Sequence, residues 1–300
     1  MHLQNQSNNL SHIRQSELIL NPDGSVYHLN LKPEDVAPTV ILVGDPARVS
    51  MVSKYFDEVF MRKSKREFVT HTGRIGNRLL TVLSTGIGTD NVDIVINELD
   101  ALFNVDLETR VARETITQLT FIRIGTSGAI QEDLPVDSIA LSRYGLGLDA
   151  MARLEISNAD AASQSWYDAL LQIAEEKQVH VLPAYMTIPD PMLVEDFKEI
   201  GSHWITVTCA GFYGLQGRSI RLKSTTSALF GMLSQFEHGG LRAGNLEMET
   251  AAIYLLSSML GHRALSLNAV IANRLEGKFS KNPKAVVDTL IREALKILCS

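Results

Sequence analysis

From residue 39 onward, short fully apolar runs alternate with longer stretches whose apolar residues return every three or four positions. TVILVG (39–44) is a branched apolar run that predicts a buried strand, with Asp45 as N-cap and Pro46 at the first position of the next helix. RLLTVLSTG (78–86) repeats this strand-to-helix turn, and Val92, Val95, Ile96, Leu99, Leu102 and Phe103 then fall on one helical face. LTFIRIGTSG (119–128), VDSIALSRYG (136–145) and WITVTCAG (204–211) predict further strands, each ending in glycine. ETAAIYLLSSMLG (249–261) is apolar nearly all round and predicts a buried helix capped at Gly261. ALSLNAVIAN (264–273) predicts a buried strand, and Asn282-Pro283 opens a last amphipathic helix through Val286, Val287, Leu290, Ile291 and Leu295. This order predicts an α/β fold with strands buried on both faces.

Composition narrows the function. With 300 residues, 45% hydrophobic and 21% charged, the chain can bury a large core. A net charge of -6 and scattered arginines give no nucleic-acid footprint, which makes a small molecule the expected partner. Cys209 and Cys299 are far apart and match no disulfide framework or zinc spacing, a cytosolic pattern. The opening MHLQNQSNNLSHIRQ lacks the charged start and apolar core of a signal peptide, so residues 1–25 are expected to form a flexible tail ahead of one domain over 26–300. No apolar run approaches the roughly 20 residues that span a bilayer, and a cytoplasmic location is expected.

The unusual residues gather after the strands, where ligands of such sheets sit. Gly44-Asp45-Pro46-Ala47-Arg48 puts a cation in the first turn of a helix, where the dipole and free N–H groups favour an anion. Arg123, between Ile122 and Ile124, also needs an anionic partner. Each arginine could instead pair with a nearby carboxylate. STGIGTDN (84–91) resembles a dinucleotide fingerprint only in part, because Asn91 stands where the third glycine belongs, so it reads as a tight turn. In CAGFYGLQGR (209–218), Phe212 and Tyr213 offer a ring for stacking, while Gln216 and Arg218 can read a heterocycle's polar edge; a surface loop with a packed aromatic is the plainer alternative. Glu247 and Glu249, beside an apolar run, need polar partners if buried. Residues two apart on an extended segment face the same side. Glu249 also suits a helix-capping acid.

Together VYHLNL (26–31), VGDPARV (43–49), KREF (65–68), STGIG (84–88), IRIGTSGAIQ (122–131), FYGLQGR (212–218), NLEMET (245–250) and VIANR (270–274) resemble the nucleoside phosphorylases, particularly their uridine-directed members, from about residue 26 to the C-terminus. The resemblance implies a single three-layer domain with a central twisted mixed sheet flanked by helices. The implied reaction is reversible phosphorolysis of uridine to uracil and ribose 1-phosphate, in pyrimidine salvage. Inorganic phosphate is then co-substrate, and no cofactor is expected.

Position by position, the resemblance implies that Gly44, Arg48, Arg123 and Thr126 hold phosphate, with Arg66 reaching in from a neighbouring subunit. Three arginines around one dianion supply charge-assisted bonds that keep the nucleophile beneath the anomeric carbon. Gln216 and Arg218 match the uracil readers, Phe212 the stacking ring, and Glu247, Met248 and Glu249 the ribose-binding run, while Thr126 and Arg274 also border the nucleoside. Arg48, Arg123, Arg218 and Glu249 are the expected catalytic groups, and His28 approaches the 5′ hydroxyl from the partner chain. Sharing His28 and Arg66 requires at least a dimer, and the resemblance implies a hexamer.

Purine-directed relatives are expected to carry an aspartate near the end of the VIANR strand, where this chain has Asn273-Arg274. Some relatives hold a monovalent cation at positions matching Glu67, Ile87 and Asn91, although the last is usually a hydroxyl residue. NVDLETRVARETITQ (104–118) is longer than in compact bacterial members. A nucleosidase would activate water with a carboxylate and would not need the arginines at 48, 66 and 123. A glycosidase would need carboxylates flanking the bond, and a non-catalytic nucleoside-binding protein would have lost a phosphate ligand.

Overall fold

The computed structural model describes residues 12–154, 156–181 and 183–300. The first predicted turn forms as read: β1 (Thr39–Val43) is buried throughout and runs into α1 (Pro46–Ser53), where the Asp45 carboxylate accepts from the Ala47 N–H. β2 (Glu58–Lys65), β3 (Phe68–Ile75) and β4 (Arg78–Ser84) form an antiparallel meander. α2 (Thr89–Asn104) buries Val92, Val95, Ile96, Leu99 and Leu102, the face its spacing predicts. The segment that follows makes a small hairpin, β5 (Val105–Asp106) and β6 (Val111–Ala112).

The second half supplies β7 (Thr120–Ala129), β8 (Ile139–Leu148), α3 (Ala161–Glu176), β9 (Tyr185–Thr187), α4 (Pro191–Asp196) and β10 (Ser202–Cys209). After these come α5 (Ser227–Leu233), β11 (Glu237–His238), β12 (Leu241–Glu247), α6 (Thr250–Met259), β13 (Arg263–Asn273), β14 (Lys278–Phe279) and α7 (Pro283–Leu298). Gly261 sits beyond α6 at φ +79°, the left-handed position a glycine cap provides, and the Asn282 side chain caps α7 by accepting from the Ala285 N–H.

The main sheet is mixed, in the order β11-β12-β10-β8-β13-β7-β1-β4-β3-β2. β12 also pairs antiparallel with β7, through Asn245 opposite Ala129 and Leu246 opposite Gly128. That second pairing closes β7, β13, β8, β10 and β12 into a ring. Alternation along β1 shows how helices cover both faces: Ile41 and Val43 pack with Val49, Val52, Leu290 and Ile291 of α1 and α7. Val40 and Leu42 pack with Val95, Leu99, Ile253 and Tyr254 of α2 and α6. The expected three layers and buried strands are present.

The described part of the expected tail makes contacts with the rest of the chain. Residues 12–25 bond to the hairpin and back on themselves: the Ile13 N–H donates to the Arg110 carbonyl, Arg110 Nη1 donates to the Leu18 carbonyl at 2.7 Å, and Leu20 bridges Val26. The hairpin supplies partners that a tail read in isolation lacks. Residues 1–11 of the expected tail lie outside the described residues. Among the described residues no helix is long and apolar enough to cross a membrane.

Candidate active site

The C-terminal ends of β1, β4, β7, β12 and β13, with the loop after β10, open onto one cavity of about 620 Å³. Gly44 and Arg48 line it from the β1–α1 turn, Thr126, Ser127 and Gly128 from β7, Phe212, Gln216 and Arg218 from the loop, and Glu247, Met248 and Glu249 from the end of β12. Most of the residues singled out in the sequence therefore meet here, although up to some two hundred positions separate them.

Arg123 forms the floor. Its guanidinium is almost wholly buried: Nη1 donates to Asn268 Oδ1 at 2.8 Å, while Nη2 donates to Glu249 and lies 3.0 Å from Glu247 Oε2. The anionic partner it requires is thus inside the chain, the plainer of the two readings. Only glycine fits beneath it, because a Cβ on Gly125 would lie 1.9 Å from Arg123 Nη1. Burial alone would lower the arginine's pKa, but Glu247 and Glu249 outweigh it and the net shift is upward, so Arg123 stays charged. One guanidinium cannot neutralise two carboxylates, and burial followed by the neighbouring Glu247 raises Glu249 against the pull of Arg123.

The two glutamates divide their work differently from a simple extended pair. Glu247 ends β12, and its carboxylate accepts from Thr208 Oγ1 at 2.6 Å and from the Glu249 and Thr250 N–H groups at the start of α6. Glu247, not Glu249, is therefore the side chain that caps this helix. Glu249 instead accepts from the Gly88 N–H at 2.8 Å across the cavity. Met248 lines the cavity beside them. Gly86 and Gly88, at φ +72° and +95°, make the tight turn that brings this N–H close.

Arg48 donates to the Ile124 carbonyl at 3.1 Å; burial and then Arg123 lower its pKa. Arg48, bonded to a carbonyl rather than to a carboxylate, thus brings a cation to the end of the cavity where α1 begins, which makes that end receptive to an anion. At the other end, Arg218 lies 4.0 Å above the Phe212 ring and donates to Gln216 Oε1, leaving the Gln216 Nε2 donors for another acceptor. Arg274 stands behind, bonded to the Gln216 carbonyl. Burial lowers both Arg218 and Arg274, and Arg274 adds to the effect on Arg218.

Within one chain, His28 and Arg66 are not in the cavity wall. His28 Nδ1 lies 2.6 Å from Glu98, and the Glu98 carboxylate also accepts from the His28 and Leu29 N–H groups. Arg66, at φ +56°, turns β2 into β3 with its side chain exposed. Glu67, Ile87 and Asn91 do converge, Asn91 Nδ2 donating to the Ile87 carbonyl at 3.3 Å beside Gly86. Among the described residues no cluster of three histidine, cysteine or acidic side chains could hold a metal.

Sequence reading missed Asn268, Ser127 and Asp149. A polar residue within the apolar run ALSLNAVIAN was the available signal for Asn268. Asp149 follows β8 and accepts from the Met151 N–H and the Tyr185 hydroxyl, at 2.8 and 2.9 Å. Burial pushes its carboxyl from 3.8 up to about 6, the two bonds restraining the rise and Glu247 and Asp90 adding to it. The folded protein therefore holds this proton more tightly than the unfolded chain. That contribution is complete below about pH 4 and is lost as the pH rises through 6. Asp149→Asn should consequently gain up to about 3 kcal/mol over the unmodified protein at pH 8 and little at pH 4. Thermal denaturation of both proteins at the two pH values checks this, and an equal margin at both would contradict it.

The sheet thus sets an anion-receptive turn after β1 and paired carboxylates at the end of β12, two strands that both pair with β7, around a cavity sized for a small polar molecule. The model of the phosphorylase superfamily matches residues 38–300, and the chain belongs to that family. A uridine phosphorylase of Thermococcus kodakarensis is 31% identical over 278 residues, 92% of this chain and 87% of that protein. A DeoD-type purine nucleoside phosphorylase of Bacillus velezensis is 26% identical over 252 residues, 84% and 89% of the two chains. Among solved structures, a nucleoside phosphorylase of Trypanosoma brucei described as showing uridine phosphorylase activity superimposes with a TM-score of 0.84 at 27% identity, covering 94% of this chain and 99% of that one.

Proposed function

We propose that the protein is a uridine phosphorylase, a pentosyltransferase that converts uridine and phosphate reversibly into uracil and ribose 1-phosphate. The observation that carries this reading is the charge at the Phe212 end of the cavity. Gln216, Arg218 and Arg274 meet there, whereas the acids of the wall are engaged elsewhere: Asp45 caps α1, Glu67 packs on Gly86, and Glu247 and Glu249 hold Arg123. A departing uracil carries its negative charge on carbonyl oxygens and suits a cationic end; a purine leaving group calls for an acid to protonate it. Asn273 is committed to structure, donating to the Gln131 and Leu134 carbonyls.

In this reading Gly44, Arg48, Arg123 and Thr126 hold phosphate, and a second copy of the chain contributes Arg66 and His28, so the working unit is at least a dimer. A phosphate oxygen attacks the anomeric carbon as the glycosidic bond breaks and its electron pair passes into the uracil ring. Glu247 and Glu249 stabilise the positive charge that develops on the sugar, and Arg218 the negative charge on the base. The T. kodakarensis and T. brucei proteins support the uridine assignment. Purine-directed relatives match at comparable identity, which makes the substrate the point to test.

Uridine, thymidine, cytidine and inosine assayed by absorbance with and without phosphate provide that test. Phosphate-dependent cleavage confined to uridine and its close analogues is expected. Cytidine should be rejected by about 10⁴-fold, because it lacks the N3 proton and leaves buried polar groups unpaired. Preferred cleavage of inosine would overturn the substrate assignment, and cleavage without phosphate would make the protein a hydrolase.

A further inference from the structure

Four polar side chains beneath the cavity form a continuous hydrogen-bonded row with Arg123. Arg123 Nη1 donates to Asn268 Oδ1 at 2.8 Å, and Asn268 Nδ2 donates to Ser142 Oγ at 3.1 Å. Ser142 Oγ is 2.6 Å from Thr206 Oγ1, which donates to Asn245 Oδ1 at 2.9 Å. The five residues come one each from β7, β13, β8, β10 and β12, so the row follows the spatial order of the strands around the closed ring. All four residues beyond Arg123 have no solvent exposure.

The direction of the row is fixed at one end. A guanidinium only donates, so the Asn268 oxygen must face Arg123 and its amide NH₂ must face Ser142. Ser142 then donates to Thr206, and Thr206 to Asn245. The row ends on Asn245 Nδ2, a buried donor without a partner among the described residues. Such an end is unfavourable for stability, and well-packed apolar residues would serve a purely structural floor better. The charge of Arg123 does not require the row either, since Glu247 and Glu249 already surround Nη2. What Asn268 adds is a third anchor at Nη1, and three anchors fix the plane of the guanidinium.

We propose that Asn268 is a positioning residue for anion binding: it holds the Arg123 guanidinium in its receptive orientation, and the row through Ser142, Thr206 and Asn245 holds Asn268. This inference rests on the reading of Arg123 as a phosphate ligand, and its test uses phosphate alone. Binding of inorganic phosphate, measured by calorimetry on the nucleoside-free protein, should weaken about tenfold in Asn268→Leu, the loss associated with one charge-assisted hydrogen bond. Thr206→Val breaks the row two strands away, leaves every cavity residue in place, and should weaken phosphate about two- to threefold through the loosened amide.

Circular dichroism and thermal denaturation without phosphate separate misfolding from mispositioning. Should Asn268→Leu fail to fold, Thr206→Val carries the test. A folded Asn268→Leu, or a folded Thr206→Val, that binds phosphate as tightly as the unmodified protein would overturn the positioning role alone. If the unmodified protein binds no phosphate, the reading beneath the inference falls as well.

Discussion

Arg123→Met will lose about 10³-fold in phosphorolysis and be far less stable at neutral pH. The activity loss follows from removing a fixed cation from the proposed phosphate end of the cavity, where a single preorganised donor is worth a factor of roughly 10² to 10³. The stability loss has a separate cause. Methionine fills much of the space but leaves Glu247 and Glu249 buried without the guanidinium that lies between them, and removing one partner of a buried ion pair costs about 3–5 kcal/mol. Glu249 is already raised by burial and by Glu247, and without Arg123 it rises further. Because its folded-state pKa would then lie well above the unfolded value, the variant should recover stability relative to the unmodified protein as the pH falls towards the unfolded value of a glutamate, and lose it as the pH rises. Activity with uridine and phosphate, together with thermal denaturation across this range, tests both parts. A variant of unchanged stability would show that the two carboxylates are not held by Arg123 in solution.

If uridine is the substrate as proposed, Arg218→Leu will lower its turnover by about 10²-fold while leaving phosphate affinity nearly unchanged. Arg218 has two tasks in the proposed reaction. It meets the charge on the departing base, a contribution that grows as the bond breaks and so appears in kcat. It also holds Gln216 Oε1, and without that bond the amide can turn, so KM for uridine should rise too. Steady-state kinetics with each substrate varied in turn separates these effects. A variant that raises KM for phosphate and spares kcat would place Arg218 with the anion site instead.

The fold was legible where a short apolar run met a recognisable stop. β1 was readable because Asp45 and Pro46 mark the start of α1, and α6 because its apolar surface closes on Gly261. β12 was harder, since LRAGNLE carries a glycine and an asparagine in its middle; its role depends on β7, more than a hundred residues earlier. α3 escaped notice because it buries few large side chains, chiefly Trp166 and Leu170, on an otherwise polar helix.

The chemistry divides in the same way. Arg48, Arg123, Gln216 and Arg218 stood out because charged or amide groups at strand ends and in glycine-punctuated loops are unusual. Their partners did not. That Arg123 meets Glu247 and Glu249 depends on strands distant in sequence arriving side by side. Asn268, Ser142, Thr206 and Asn245 each interrupt a different apolar run, and only the order of the strands makes them neighbours.

The second pairing of β12 also governs what can happen while the chain is being made. Four strands of the ring emerge in sequence from residue 120 to residue 247, but β13, which lies between β8 and β7, is synthesised last, at Arg263–Asn273. Until it leaves the ribosome, β7 and β8 each present an unpaired edge, and Arg123 lacks Asn268. The nascent protein thus carries open strand edges through about half of its translation, a window in which chaperones and unwanted strand pairing compete for it. The ring can shut only when the chain is nearly complete, which ties the final docking of β13 to the appearance of the anion site.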